Sequence, residues 1–224
     1  MADFFYVTVI DIIGSSRLKD RDALSTQLNV AISRANEEYS HTCWAPFEVT
    51  KGDEVAGVLI SVATAYDIID TFAEALYPMV FRSVVVFDEL DAGIHTRRST
   101  VIDGPAFRRA DQMMKRLKKT QKRFSLSSGE KELDGAAEAL VNFLLWRWAS
   151  LTVLQRQIIR LYQQEQKQSR VAEILNRKQQ QIQNTLDVCK WQIIDEAEKA
   201  VRGLLQVIDS RTRGGEGTTE HGGS

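Results

Sequence analysis

The chain has 224 residues, with 29 Lys and Arg against 30 Asp and Glu, a formal net charge of −1. This balance excludes a wholly basic or wholly acidic protein. The 43% hydrophobic content is that of an ordinary globular chain, and no apolar run reaches the roughly 20 residues of a membrane span. The near-zero sum hides a segregation: residues 1–107 carry 8 basic and 16 acidic side chains, residues 108–123 carry 8 and 1, and residues 124–224 carry 13 of each. A short, very basic block behind an acidic front half points to parts with different partners.

Phe4 to Ile13 is a continuous apolar, β-branched run, interrupted only by Thr8 and Asp11, and reads as a buried central strand. Gly14-Ser15-Ser16 breaks it. Leu24, Leu28, Ala31, Ile32 and Ala35 then recur at helical spacing between Asp22 and Tyr39. Phe47–Thr50 and Val55–Ile60 flank Lys51-Gly52-Asp53-Glu54 as a hairpin. A helix over Val62–Leu76 and a strand over Met79–Phe87 complete a β-α-β-β-α-β order, the ferredoxin-like plan. Pro105 suits the first turn of a helix running to Lys119, and Phe124–Leu126 adds a short strand.

From Glu132 onward the pattern is all helical. Helices are expected over Leu133–Ala149, Thr152–Gln164, Ser169–Leu175 and Gln179–Val207. The chain therefore reads as α+β, an antiparallel sheet domain (1–130) followed by an all-α domain (131–208). A Gly/Thr-rich stretch, 209–224, is expected to be a disordered tail. Cys43 and Cys189 lie far apart without CxxC spacing, which gives neither a disulfide framework nor a zinc signature. Met1-Ala2-Asp3 lacks the basic start of a signal peptide, so a cytoplasmic location is expected.

Two aspartates stand out. Asp11 ends the first strand and Asp53 sits in the hairpin that opens the third. In a ferredoxin-like sheet those strands are antiparallel neighbours, which brings the two residues to one edge. A carboxylate inside the most apolar strand is costly unless a cation compensates it, and paired carboxylates form a hard oxygen site for Mg²⁺ or Mn²⁺. Gly14, Ser15 and Ser16 form a turn whose N–H groups suit a phosphate, and Lys51, Arg108 and Arg109 are further phosphate candidates.

Val9-Ile10-Asp11-Ile12-Ile13-Gly14-Ser15-Ser16, Lys51-Gly52-Asp53-Glu54 and Asp103-Gly104-Pro105-Ala106-Phe107 together resemble the SatD family of bacterial proteins. The same three blocks, in the same order, are similar to class III nucleotide cyclases. That resemblance implies a nucleotide-cyclase-like domain over about residues 5–120, with Asp11 and Asp53 as metal ligands and a nucleotide as ligand. The chain departs from the cyclase pattern where a catalytic Asn and Arg are required: Arg108 and Gln112 stand there. Metal binding thus carries over better than cyclase chemistry.

The helical part reads as a helix-turn-helix. Leu151–Tyr162 is amphipathic, Val171-Ala172-Glu173-Ile174-Leu175 is a short helix with a small packing residue, and Asn176 is suited to a positive-φ turn. Ile182 and Leu186 are the expected buried pair of the last helix. Arg177 and Lys178 are then phosphate contacts, and Gln180, Gln181 and Asn184 are base-edge readers. Residues 150–191 hold 7 basic and 3 acidic side chains. Farther along, Trp191, Ile194, Ala197, Val201 and Leu204 suggest a homodimer seam. The expectation is a DNA-binding regulator whose sheet domain holds a metal and nucleotide. The alternatives are a divergent nucleotidyl cyclase or nucleotidyltransferase using two Mg ions, and an interaction adaptor with a dead site.

Overall fold

The computed structural model describes residues 3–15 and 20–214. It divides into two compact units: a sheet unit of Met1–Asn142 with Val201–Ser224, and a helical unit of Phe143–Ala200. This differs from the expected boundary near residue 130. The first twelve residues of α4 (Lys131–Ser150) and the distal part of α8 (Trp191–Gly214) both belong to the sheet unit.

The sheet has five strands: β1 (Asp3–Ile12), β2 (Cys43–Lys51), β3 (Glu54–Leu59), β4 (Phe81–Leu90) and β5 (Phe124–Ser127). Their order is β2-β3-β1-β4-β5. The first four are antiparallel, as the ferredoxin-like plan requires, and β5 runs parallel to β4. β1 is central and covered on both faces, which is why its sequence is apolar without alternation. Val7 and Val9 join Ala56, Val58, Val84 and Val86 in a core closed by Ala106, Ala110, Met114 and Leu117 of α3 (Pro105–Leu117). The opposite face buries Tyr6, Ile10 and Ile12. That side also carries the buried stripe of α2 (Ala65–Ala75), where Phe72 meets Phe47 and Phe81. α1 (Arg21–Glu38) starts at Asp20, whose carboxylate accepts the Ala23 N–H at 2.9 Å, and Asn36 ties it to the Phe47 backbone.

β5 has no strand on its outer edge, and α4 fills that role with side chains. Asp134 accepts the Ser128 N–H at 2.9 Å, Glu138 the Leu126 N–H at 3.0 Å, and Asn142 the Phe124 N–H at 3.0 Å. Asn142 also donates to the Phe124 carbonyl at 2.8 Å. The match follows from geometry: four helical residues rise about 6.0 Å, and two strand residues about 6.6 Å. A helix placed against an edge strand with acceptors every fourth position can therefore pair alternate strand amides and protect the edge.

In the helical unit, α5 (Val153–Glu165), α6 (Gln168–Ile174) and α7 (Gln179–Cys189) join the start of α8. Thr152 and Gln155 form a capping box on α5. The single helix expected from Gln179 to Val207 is broken at Lys190, which is left-handed at φ 53°. Arg147 donates to the Cys189 carbonyl at 2.7 Å and so satisfies the end of α7.

Of the residues assigned to a dimer seam, Ile194 and Val201 are buried within the chain, Trp191 meets Tyr162 edge-on at 4.7 Å, and Ala197 and Leu204 are half-buried; the fully buried positions beyond Val201 are Leu205 and Ile208. The first part of the expected tail, up to Gly214, is helical. It is anchored by Asp209, which accepts the Val62 N–H at 3.0 Å, by Arg211 on Glu130 at 2.9 Å, and by a Thr212–Tyr6 hydroxyl contact. Low local hydrophobicity did not reveal these long-range anchors. Residues 215–224 lie outside the described residues. No helix among the described residues is long and apolar enough to cross a membrane.

Candidate functional site

The β1–β3 register sets the chemistry at the sheet edge. Asp11 lies directly opposite Glu54. Side chains alternate along a strand, so Asp11 shares the α3-covered face with Val7 and Val9, and Glu54 shares it with Ala56 and Val58. From α3's end, Lys118 donates to the Asp11 carboxylate at 2.8 Å. Asp11 is only 14% exposed and Lys118 44%. The ammonium therefore supplies the compensating cation that this strand requires. Burial pushes the Glu54 carboxyl above its ordinary range, the Thr50 hydroxyl opposes that by donating to it, and the charges of Asp11 and Asp111 push it further up. Glu54, Asp103, Arg108 and Asp111 line a cavity of about 250 Å³ with Val9 and Phe107.

Asp53 lines a different cavity, of about 290 Å³, together with Ser15, Arg21, Ser25, Asn29 and Gly52. The fold thus brings the Asp11 and Asp53 segments to one edge, as antiparallel neighbours must, but gives their carboxylates different surroundings. Among the described residues no group of three or more His, Cys, Asp or Glu is arranged to hold a metal ion. Lys118 holds the Asp11 carboxylate, so a divalent cation at Asp11 would have to compete with this ammonium.

The phosphate candidates separate in the same way. Gly14 is left-handed at φ 77°, a conformation suited to glycine, and Ser15 faces the Asp53 cavity. Ser16 lies outside the described residues. Lys51 is exposed and pairs in register with Glu54. Arg108 and Arg109 are ion-paired to Asp91 at 3.4 Å and Asp88 at 3.3 Å. Both line a third cavity, of about 770 Å³, between α3 and β5. Sequence reasoning missed Glu54, Lys118 and Arg21. The contiguous Asp53-Glu54 pair was the available signal for Glu54, because either residue of a hairpin can take the position opposite Asp11.

In the helical unit, α6 and α7 meet through a short turn in which Asn176 is left-handed at φ 49° and the Arg177 N–H reaches back to the Ala172 carbonyl at 2.8 Å. Ala172, Ile182 and Leu186 are buried as expected, and Val171 is buried beside them. Arg177, Lys178, Gln179, Gln180, Gln183 and Asn184 are exposed. All three expected base readers make local hydrogen bonds. Gln181 accepts the Lys178 N–H at 3.2 Å and caps α7, and Gln180 donates to Asn184 at 3.0 Å.

The helical unit also holds a buried polar network. Glu198 is 1% exposed. It accepts from the Trp148 indole at 2.9 Å and from Gln163 at 3.1 Å, with Arg160 at 3.9 Å. The Arg160 guanidinium stands 3.9 Å over the Trp148 ring.

The profile of the SatD family matches residues 6–205, nearly the whole of the chain. The chain belongs to the SatD family. No curated protein matches it. Among solved structures, it is similar to two of a bacterial light-regulated adenylyl cyclase, at 13% and 16% identity and TM-scores of 0.43 and 0.42. These alignments cover 59% and 60% of this SatD-family chain, and 45% and 81% of the respective cyclase chains. The chain thus spans under half the length of the first. A regulator of polyketide synthase expression from Bifidobacterium adolescentis aligns at 15% identity and a TM-score of 0.26, over 95% of this chain and 83% of its own.

Proposed function

We propose that this SatD-family protein is a DNA-binding regulator in which α6, the Asn176 turn and α7 act as a helix-turn-helix. The observation that carries this reading is the division of α7 into two faces. Ile182 and Leu186 are buried, while Gln179, Gln180, Gln183 and Asn184 are exposed beside Arg177 and Lys178 at the helix N-terminus. Amide side chains at the start of a recognition helix match adenine edges in the major groove, and cations flanking them match phosphates. Gln181 serves the cap rather than the bases in this reading. A homodimer would use surfaces other than the buried stripe of α8.

The sheet unit is assigned a sensing role, with a small phosphate-bearing effector such as a nucleotide at Ser15, Arg21 and Asp53. The cyclase or nucleotidyltransferase alternative draws no support from a donor set in which Asp11 is held by Lys118. Incubation with each nucleoside triphosphate and Mn²⁺, followed by pyrophosphate detection in wild type and Asp53→Asn, checks it directly. Turnover lost in the variant would establish the enzyme reading.

DNA binding is tested by anisotropy of a labelled mixed-sequence duplex across a salt series. Lys178→Glu should weaken binding and flatten the salt slope by about one unit, as loss of one phosphate contact does. Asn184→Ala should change base preference in a selection from random duplexes. Duplex affinity unaltered in both variants would refute the assignment to α7.

A further inference from the structure

A groove of about 770 Å³ lies between α3 and β5 in the sheet unit. Its rim carries Arg108, Arg109, Arg116 and Lys122, and Glu138 is its single acidic lining residue. Glu138 is committed elsewhere: it accepts the Leu126 N–H at 3.0 Å and the Ser125 hydroxyl at 2.5 Å. The Arg116 side chain is exposed and has no hydrogen-bond or ion-pair partner among the described residues. Arg108 pairs with exposed Asp91 at 3.4 Å, and Arg109 and Lys122, both exposed, pair with partly buried Asp88 and Glu138 at 3.3 and 3.2 Å; a phosphate can take over the exposed donors of all three cations. The floor is apolar, formed by Met113, Leu117 and Leu126, and Gln112, Thr120, Ser125 and Ser127 add hydrogen-bonding groups.

We infer that this groove binds single-stranded nucleic acid, with phosphates on its arginines and an unstacked base on its apolar floor. The cations are strung out, not convergent. Arg108 and Arg116 lie about 12 Å apart along the helix axis at ~1.5 Å per residue. Successive phosphodiesters match that spread with less side-chain reorientation than one compact phosphate group requires. A duplex hides its base faces and has no use for the apolar floor, whereas a single strand exposes them. The groove belongs to the sheet unit and its ligand differs in form from the duplex assigned to α7, so this goes beyond the helix-turn-helix reading.

The test uses the full chain and a fluorescein-labelled oligothymidylate of about ten nucleotides, within the usual range of single-strand site sizes. Anisotropy is titrated at several salt concentrations for wild type, Arg116→Glu, Arg116→Gln, Arg116→Glu with Lys122→Glu, and Lys178→Glu. Each lost contact removes about 0.7 from the salt slope, which is a roughly fivefold loss of affinity at 0.1 M salt. The double variant should therefore bind about 25-fold more weakly. Circular dichroism should show unchanged melting for both Arg116 variants, whose side chain is exposed and unpaired, and Arg116→Gln gives the same direction without charge reversal. Lys178→Glu should leave oligothymidylate affinity within about twofold of wild type while weakening duplex binding. Three results overturn the inference: no oligothymidylate binding by the wild type, binding lost in Lys178→Glu but retained in the Arg116 variants, or displacement of the strand by millimolar ATP through an Arg116-dependent site. Duplex binding insensitive to Lys178→Glu would instead sink the α7 reading and leave the groove standing.

Discussion

Replacing Glu198 by Ala is the sharpest test of how the helical unit is held together. The carboxylate is 1% exposed and accepts hydrogen bonds from Trp148 at 2.9 Å and Gln163 at 3.1 Å, beside the Arg160 guanidinium at 3.9 Å. Alanine removes both acceptors, takes away the charge that compensates Arg160, and leaves a cavity. Each buried donor stripped of its acceptor costs about 1–3 kcal/mol, and removing one partner of a buried ion pair costs about 3–5 kcal/mol in all. These terms overlap, so the expected loss is about 4 kcal/mol, a large share of a domain's stability. Glu198→Gln keeps the volume and one acceptor, and should fall between wild type and alanine. Pairing Glu198→Met with Arg160→Leu removes both charges together and should recover part of the loss, because apolar replacement of a whole buried pair is often neutral. The assay is urea unfolding at neutral pH followed by tryptophan fluorescence, with Trp148 reporting directly on the network. A loss below about 1 kcal/mol for Glu198→Ala would refute the reasoning and mark the network as energetically idle.

Three further outcomes are expected. Glu54→Gln should stabilise the protein at neutral pH, because the folded state raises this carboxyl's pKa and so disfavours its charged form there. Wild-type stability should rise as pH falls through the folded pKa, and the advantage of the variant should vanish below the ordinary value of 4.5; urea midpoints across a pH series check the sign. Gly57→Ala places a Cβ 2.7 Å from the Phe47 ring and should destabilise by about 1–3 kcal/mol, read as a lowered melting temperature. Asn142→Leu removes the Phe124 N–H and C=O partners on the outer edge of β5, and should cost about 2–4 kcal/mol and speed amide exchange at Phe124.

Much of the sheet unit was legible from sequence. A run from Phe4 to Ile13 that is apolar on both faces has few alternatives to a central strand, and the element order then leaves one sheet arrangement with Asp11 beside the hairpin. The division of α7 into a buried pair and a polar face was equally legible, because helical spacing assigns faces without reference to the partner. What lay beyond local pattern was register. One residue decides whether Asp53 or Glu54 stands opposite Asp11, and the difference sends a side chain to the other face.

The stripe in α8 shows the same division. Periodicity identifies Ile194 and Val201 as buried but carries no information about what buries them, and the fold uses them within the chain rather than between copies. Helical ends such as Asp209 and Thr212 are held by Val62 and Tyr6, contacts that bridge more than 140 positions and leave no trace in the local composition of a Gly/Thr-rich segment. The basic block was plain in the charge count. Its conversion into a groove depended on β5 pairing in parallel with β4 beside α3, and on α4 closing that edge with Asp134, Glu138 and Asn142. Sequence alone determined which residues are apolar, charged and periodic, because those are properties of short segments. Tertiary structure decided which charges meet, because a cation for Asp11 comes from Lys118, more than a hundred residues along the chain.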